Sequence, residues 1–211
     1  MVGGRPDLLS FASMDALLLG ALGRLRQFAQ AMTPTASPVD LALPAALALL
    51  EAAGSGFKLV GGIAVVHHGY LRTTEDIEAL VEAEGPAKLA ACAKNHGFVV
   101  ESRTRLRHAE SGVALDLLVA GDPMPRVGSP RYPSPDDIAG SPTDATIVAL
   151  APLCQLKLLA RRHRDLADVV ELLKRLDEGR YLEIEAAMPP SLRPELAALR
   201  RDALEERELE G

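Results

Sequence analysis

Apolar and polar positions recur with two different periods along this chain, and the switch between periods marks its elements. Leu8, Leu9, Phe11, Leu17, Leu18, Leu22 and Leu25 recur at roughly helical spacing, which predicts an amphipathic helix over 7–31. "MTPTASPVD" at 32–40 mixes Pro, Ser and Thr and reads as a linker. A second helix is expected over about 41–53, stopped by Gly54 and Gly56. Shorter units follow. "FKLV" (57–60) reads as a strand, and Gly61-Gly62 opens a short helix over 63–69. "DIEALVE" (76–82) reads as a strand, and "GPAKLAACAKNHG" as a helix with Pro86 in its first turn and Gly97 as its stop. "FVVES" (98–102), "RLRHAE" (105–110) and "VALDLLVAG" (113–121) read as three more strands, the last two joined through a turn at Ser111-Gly112.

Residues 121–152 hold seven of the fifteen prolines, which predicts extended loop with an edge strand near Ile147. Helical patterning returns over about 153–176, 181–188 and 191–208. No internal repeat is visible. The order predicts an α+β fold: a small mixed β-sheet of about five strands backed by helices. It divides into an N-terminal extension and linker (1–40), a core (41–150) and a C-terminal helical region (151–211).

Composition narrows the classes. The chain has 211 residues and is 48% apolar, enough for a real core, yet 3% aromatic with no Trp, so Leu, Val and Ala must build that core. A net charge of −6 argues against a broad grip on nucleic-acid phosphate and leaves room for a local patch such as "RRHR" at 161–164. Cys92 and Cys154 have no CxxC neighbour, so zinc and redox motifs are unsupported; buried free thiols and a reducing, cytoplasmic setting are expected. The apolar run from Leu8 to Leu22 is broken by Asp15 and suits neither a membrane span nor a signal peptide, so no membrane partner is expected.

The candidate chemistry sits on the strand at 76–82. Residues i and i+2 of a strand face one side, so Asp76 and Glu78 project together while Ile77 faces the core. Two adjacent carboxylates repel unless a cation lies between them, and Mg²⁺ takes one or two carboxylates plus substrate phosphates. A third acid, Asp116, stands mid-strand in "VALDLLV", where a lone charge is costly unless paired or ligated. Upstream, Gly61 and Gly62 let backbone approach an anion closely. One element can then hold phosphates and the next a metal, which suits metal-assisted nucleotidyl transfer.

These residues resemble the signature of the nucleotidyltransferase superfamily with the polymerase-β-like fold. Its pattern is a hydrophobic residue, Gly, Gly or Ser, a gap, then Asp, hydrophobic, Asp or Glu, hydrophobic. The chain supplies Val60-Gly61-Gly62, thirteen intervening residues, and Asp76-Ile77-Glu78-Ala79, with Asp116 matching the later third acid. "GGIAVVHHGYLRTTEDIEALV" is most similar to bacterial toxin-type and abortive-infection nucleotidyltransferases, and "LKLLARRHRDLADVVELL" (156–173) resembles their helical region. Those proteins usually carry Asp where this chain has Glu78; the wider superfamily admits Glu.

The resemblance implies a catalytic and metal-binding set of Asp76, Glu78 and Asp116, holding Mg²⁺. It implies nucleotide-binding roles for Gly61, Gly62, Arg72 and Lys157, with an NTP as substrate and a tRNA 3′ end or a partner protein such as an antitoxin as acceptor. A structural ion pair is the competing role for Arg72, and a solvated helix face that for Lys157. Asp165 and Asp168 are expected as helix-start and surface charges, and His67 and His68 as structural. The alternative to an enzyme is a catalytically inactive partner-binding module on the same fold.

Overall fold

Strand-forming and helix-forming segments interleave from Pro38 onward, and they close around one core. The structure is a computed structural model that describes residues 37–125 and 130–210. The helix expected over 7–31 lies outside the described residues, which form one compact unit from Pro38 on. Helix α1 (Pro38–Ala52) leads to strand β1 (Phe57–Leu59), helix α2 (Gly61–His67) and strand β2 (Asp76–Val81). Helix α3 (Gly85–Cys92) ends in a 3₁₀ turn closed by Gly97 at φ 77°, a left-handed cap that favours glycine. Strands β3 (Phe98–Ser102), β4 (Arg105–His108) and β5 (Ala114–Val119) follow, and Gly112 at φ 71° turns the chain between the last two. Strands β6 (Gly140–Ser141) and β7 (Asp144–Val148) precede helices α4 (Leu150–Ala160), α5 (His163–Lys174), α6 (Glu178–Ala187) and α7 (Arg193–Glu210).

The described residues thus make an α+β fold with seven α-helices and a seven-stranded mixed sheet, ordered β3-β4-β5-β2-β1-β7-β6. β2 runs parallel to β5, and β1 parallel to β7; the other neighbours are antiparallel. Period-2 patterning sorts the two central strands into faces. Ile77, Ala79 and Val81 of β2 and Leu115, Leu117 and Val119 of β5 are buried on one face. They pack with α1 and α3, which bury Ala42, Ala46, Leu49, Leu50 and Leu89. Each large aliphatic side chain so buried contributes about 1.5–3 kcal/mol. The opposite face of these strands carries Asp76, Glu78 and Asp116.

Three expectations change. The sheet has seven strands rather than about five, because β6 and β7 form inside the proline-rich stretch. β7 is not an edge: it lies between β1 and β6 and leaves the two-residue β6 outermost. The helix expected over about 153–176 is two helices, broken where Arg161 adopts φ 51° and its N–H caps the carbonyl of Lys157 at 2.9 Å. A left-handed residue ends a helix whatever its side chain, but without Gly or Asn nothing in "RRHR" announces it. Among the described residues no helix is long and apolar enough to cross a membrane.

Candidate functional site

Strand register brings the sheet acids together. Glu78 stands directly opposite Asp116 across the parallel β2–β5 pair, and Asp76 stands opposite Ala114 on the same face. Like charges directly opposite one another are destabilising. Partial burial pushes the Glu78 carboxyl above the usual glutamate range, and the neighbouring Asp76 charge pushes it further. Asp116 is also raised by burial, with Arg105 opposing the shift. Burial therefore outweighs the nearby cations at both acids.

Side chains soften that repulsion with nearby donors. Arg105 is the direct register partner of Asp116 across β4–β5, and its Nη1 lies 3.4 Å from Asp116 Oδ1. Arg162 Nη2 lies 3.9 Å from Glu78 Oε1. The Thr74 hydroxyl donates to the Asp76 main-chain carbonyl at 3.2 Å and lies 3.5 Å from Asp76 Oδ1. The three carboxylates do not close to a set with oxygens all within 4.8 Å; among the described residues that spacing is met by Glu171, Glu206 and Glu210. Those three already surround the Lys174 ammonium at 2.9, 2.7 and 2.8 Å, so a cation fills that position.

The glycine pair has a steric reason. At Gly61, φ is 57°, and a Cβ there would collide with the carboxylate of Glu78. At Gly62 a Cβ would collide with the Thr74 side chain and come within 3.2 Å of Arg72 Nη2. The glycines therefore admit β2 and the 72–74 loop against the start of α2. Glu78, Gly61 and Asp116 line a cavity of about 150 Å³ together with Tyr132, Lys157 and Arg162. Burial and the Glu78 charge push the Tyr132 phenol upward.

Lys157 is not on a solvated face: it lines the cavity and is paired with acids. It is 5% exposed, and its ammonium donates to Asp168 Oδ2 at 2.6 Å and Asp165 Oδ1 at 3.4 Å. Asp165 and Asp168, expected at the surface, are 3% and 2% exposed. Arg72 forms the structural ion pair, with Asp168: Nη2 donates to Oδ2 at 3.0 Å and Nε lies 2.8 Å from Oδ1. Arg162 closes the chain of charges by donating to Asp165 Oδ2 from Nε at 2.7 Å and to Oδ1 from Nη2 at 3.3 Å. Loop 72–74, α4 and α5 are thus tied into one network that ends beside Glu78.

His67 Nε2 bonds the Ser141 and Thr143 hydroxyls at 2.9 and 3.1 Å, and His68 Nε2 bonds the Val148 carbonyl at 2.8 Å. Cys154 is a buried free thiol, while Cys92 is half-buried. Sequence reasoning missed Arg105, Tyr132 and Arg162. Arg105 needed the strand register, and Arg162 needed the break at Arg161. The burial of Lys157 did have a signal: Leu150, Leu153, Cys154, Lys157 and Leu158 follow the i, i+3, i+4, i+7, i+8 stripe of an inward-facing helix side.

Mg²⁺ can be tested against these residues. The donors are carboxylate oxygens on adjacent strands of one face, their charges are mutually repulsive, and the glycine beside them has no room for a side chain. The donor type is the one a hard divalent ion takes, and Asp76, Glu78 and Asp116 fit it in chemistry, while their oxygens would have to draw closer than they stand here to share one ion. No protein-family model matches this chain, and no curated protein is significantly similar to it.

Proposed function

We propose that the protein is a metal-dependent nucleotidyltransferase of the polymerase-β-like superfamily, acting in the cytoplasm. The observation that carries this reading is the register of the two central strands. It sets Glu78 against Asp116 with Asp76 on the same face, beside a cavity backed by Gly61. Mg²⁺ held by Asp76, Glu78 and Asp116 would neutralise the phosphates of an NTP and the departing pyrophosphate. Gly61 would let the phosphates approach the backbone once the Glu78 side chain turns away from it. Gly62 would hold the loop that carries Arg72 and Thr74.

Asp116 would act as the general base, standing on the strand beside Glu78 on the face that lines the cavity. The acceptor hydroxyl gives its proton to Asp116, its oxygen attacks the α-phosphorus, and the bond from that phosphorus to the pyrophosphate oxygen breaks. Lys157 serves this reading as a positioning residue, holding α4 and α5 through Asp165 and Asp168. The acceptor is a tRNA 3′ end or a hydroxyl side chain of a partner protein, as in a toxin–antitoxin pair.

A second reading, the inactive partner-binding module, is favoured by one observation: Arg105 and Arg162 already face Asp116 and Glu78. Incubation with Mg²⁺ and each α-labelled NTP, with and without bulk tRNA, separates the two. The enzyme reading expects labelled RNA or protein with release of pyrophosphate, lost in Asp76→Ala. No transfer to any acceptor, with no metal-dependent nucleotide binding, leaves the module.

A further inference from the structure

We propose that Arg162 holds the cation position at Glu78 in the ligand-free protein and, once a divalent ion displaces it, binds the phosphates of the nucleotide. This rests on the reading of Asp76, Glu78 and Asp116 as an ion site. The guanidinium is held unequally at its two ends. It is anchored on Asp165 by two hydrogen bonds, at 2.7 and 3.3 Å, whereas it meets Glu78 at 3.9 Å without one. Leaving Glu78 therefore breaks no hydrogen bond, and the Asp165 anchor keeps the group at the cavity wall, which Arg162 lines together with Glu78 and Asp116.

Exposure on a firm anchor sets Arg162 apart from the other cations near this cavity: Arg105, 46% exposed, is shared between Asp116 and Glu101, each at 3.4 Å. The Arg162 side chain is 68% exposed, whereas that of Lys157 is 6% exposed and bonded to two acids, and that of Arg72 is 13% exposed and paired with Asp168. An exposed guanidinium on a fixed anchor has the reach and the planar fork that phosphate oxygens match. Its origin is fixed by the backbone, because the left-handed Arg161 ends α4 and makes Arg162 the first residue before α5.

The contact also depends on Glu78 being a glutamate. Aspartate would withdraw the carboxylate by one carbon–carbon bond, about 1.5 Å, and open a pair that is already loose. The glutamate thus supplies a built-in competitor for the ion, and competition of this kind lowers the affinity for metal alone while leaving the cation available to the nucleotide.

The test compares the full-length wild type with Arg162→Gln, Arg162→Lys and Arg164→Gln. Mn²⁺ binding without nucleotide is read by electron paramagnetic resonance, and binding of a non-hydrolysable ATP analogue in saturating Mn²⁺ by calorimetry. Arg162→Gln keeps an amide for Asp165 but removes the charge facing Glu78. It should bind Mn²⁺ alone roughly threefold tighter or more, as expected for deleting a partly exposed ion pair. It should bind the analogue at least about tenfold more weakly, as expected for losing a charge-assisted phosphate contact. Arg162→Lys should match the wild type for Mn²⁺ and still bind the analogue more weakly, because the fork is gone. That variant decides the matter if Arg162→Gln does not fold. Arg164 bonds the Thr73 carbonyl, so Arg164→Gln should leave Mn²⁺ binding unchanged.

Unchanged Mn²⁺ affinity in Arg162→Gln, equal tightening in Arg164→Gln, or wild-type analogue binding in Arg162→Lys overturns the proposal. A wild type that binds no Mn²⁺ at all overturns the ion-site reading beneath it.

Discussion

Two groups of charged side chains meet at Arg162, and they obey opposite physics. On the helix side, Lys157, Asp165, Asp168 and Arg72 are largely buried and joined at 2.6–3.4 Å. On the sheet side, Asp76, Glu78 and Asp116 are partly open, face one another on neighbouring strands, and reach their cations only at 3.4–3.9 Å. The first group has balanced its charges inside the protein. The second has excess negative charge, and burial has already raised two of its acids. A balanced buried network acts as a staple; an unbalanced one, beside a cavity, is where the proposed reading would seat a cation from solution.

The comparison breaks most decisively at the reaction. Asp76→Asn should reduce transfer by about 1000-fold in the labelled-NTP assay while melting like the wild type, since losing one charge-stabilising group costs that order. Equal transfer would place the site elsewhere. The next effect belongs to the staple. Lys157→Ala should lose about 3–5 kcal/mol of stability by urea denaturation, because Asp165 and Asp168 remain buried and partly uncompensated. A loss below about 1 kcal/mol, the value of a surface pair, would erase the distinction between the two groups.

Glu78→Gln should change stability in the reverse direction. A carboxyl raised in the folded state contributes stability below its unfolded value and loses it as pH rises through the folded value. The neutral amide escapes that loss. Glu78→Gln should therefore melt above the wild type at neutral pH, and the gap should close as pH falls below the ordinary glutamate value of 4.5. A variant less stable at pH 7, with a gap that vanishes as falling pH protonates the carboxyl, would mean that Arg162 already satisfies the carboxylate. Smallest of all, Arg105→Gln should cost under about 1 kcal/mol, because its pair with Asp116 is half-exposed.

Much of this was legible in the chain. The alternation in "DIEALV" placed Ile77 inward with Asp76 and Glu78 together on the other side, because strand period is a local property. Gly97 and Gly112 marked turns that need positive φ. The cost of a lone acid in "VALDLLV" and the resemblance both pointed to a meeting of Asp116 with Glu78, but neither fixed the pairing, since register between strands 38 positions apart is set by the whole sheet. Asp165 stands in the first turn of α5 as expected, but neither it nor Asp168 is at the surface, and Asp165, Asp168, Val169 and Leu172 follow the i, i+3, i+4, i+7 stripe of a buried face. An acid in such a stripe signals a buried partner, and Lys157 in the facing stripe of α4 was that partner. The break at Arg161 and the partner of Glu78 that it creates left no local mark.

Anomalous scattering from Mn²⁺ in crystals grown with a non-hydrolysable NTP tests the central claim most directly. The account predicts a peak among the oxygens of Asp76, Glu78 and Asp116, with the Arg162 guanidinium moved off Glu78 and onto phosphate. A peak at Glu171, Glu206 and Glu210 instead, or density for the nucleotide with no ion on the sheet acids, would contradict it.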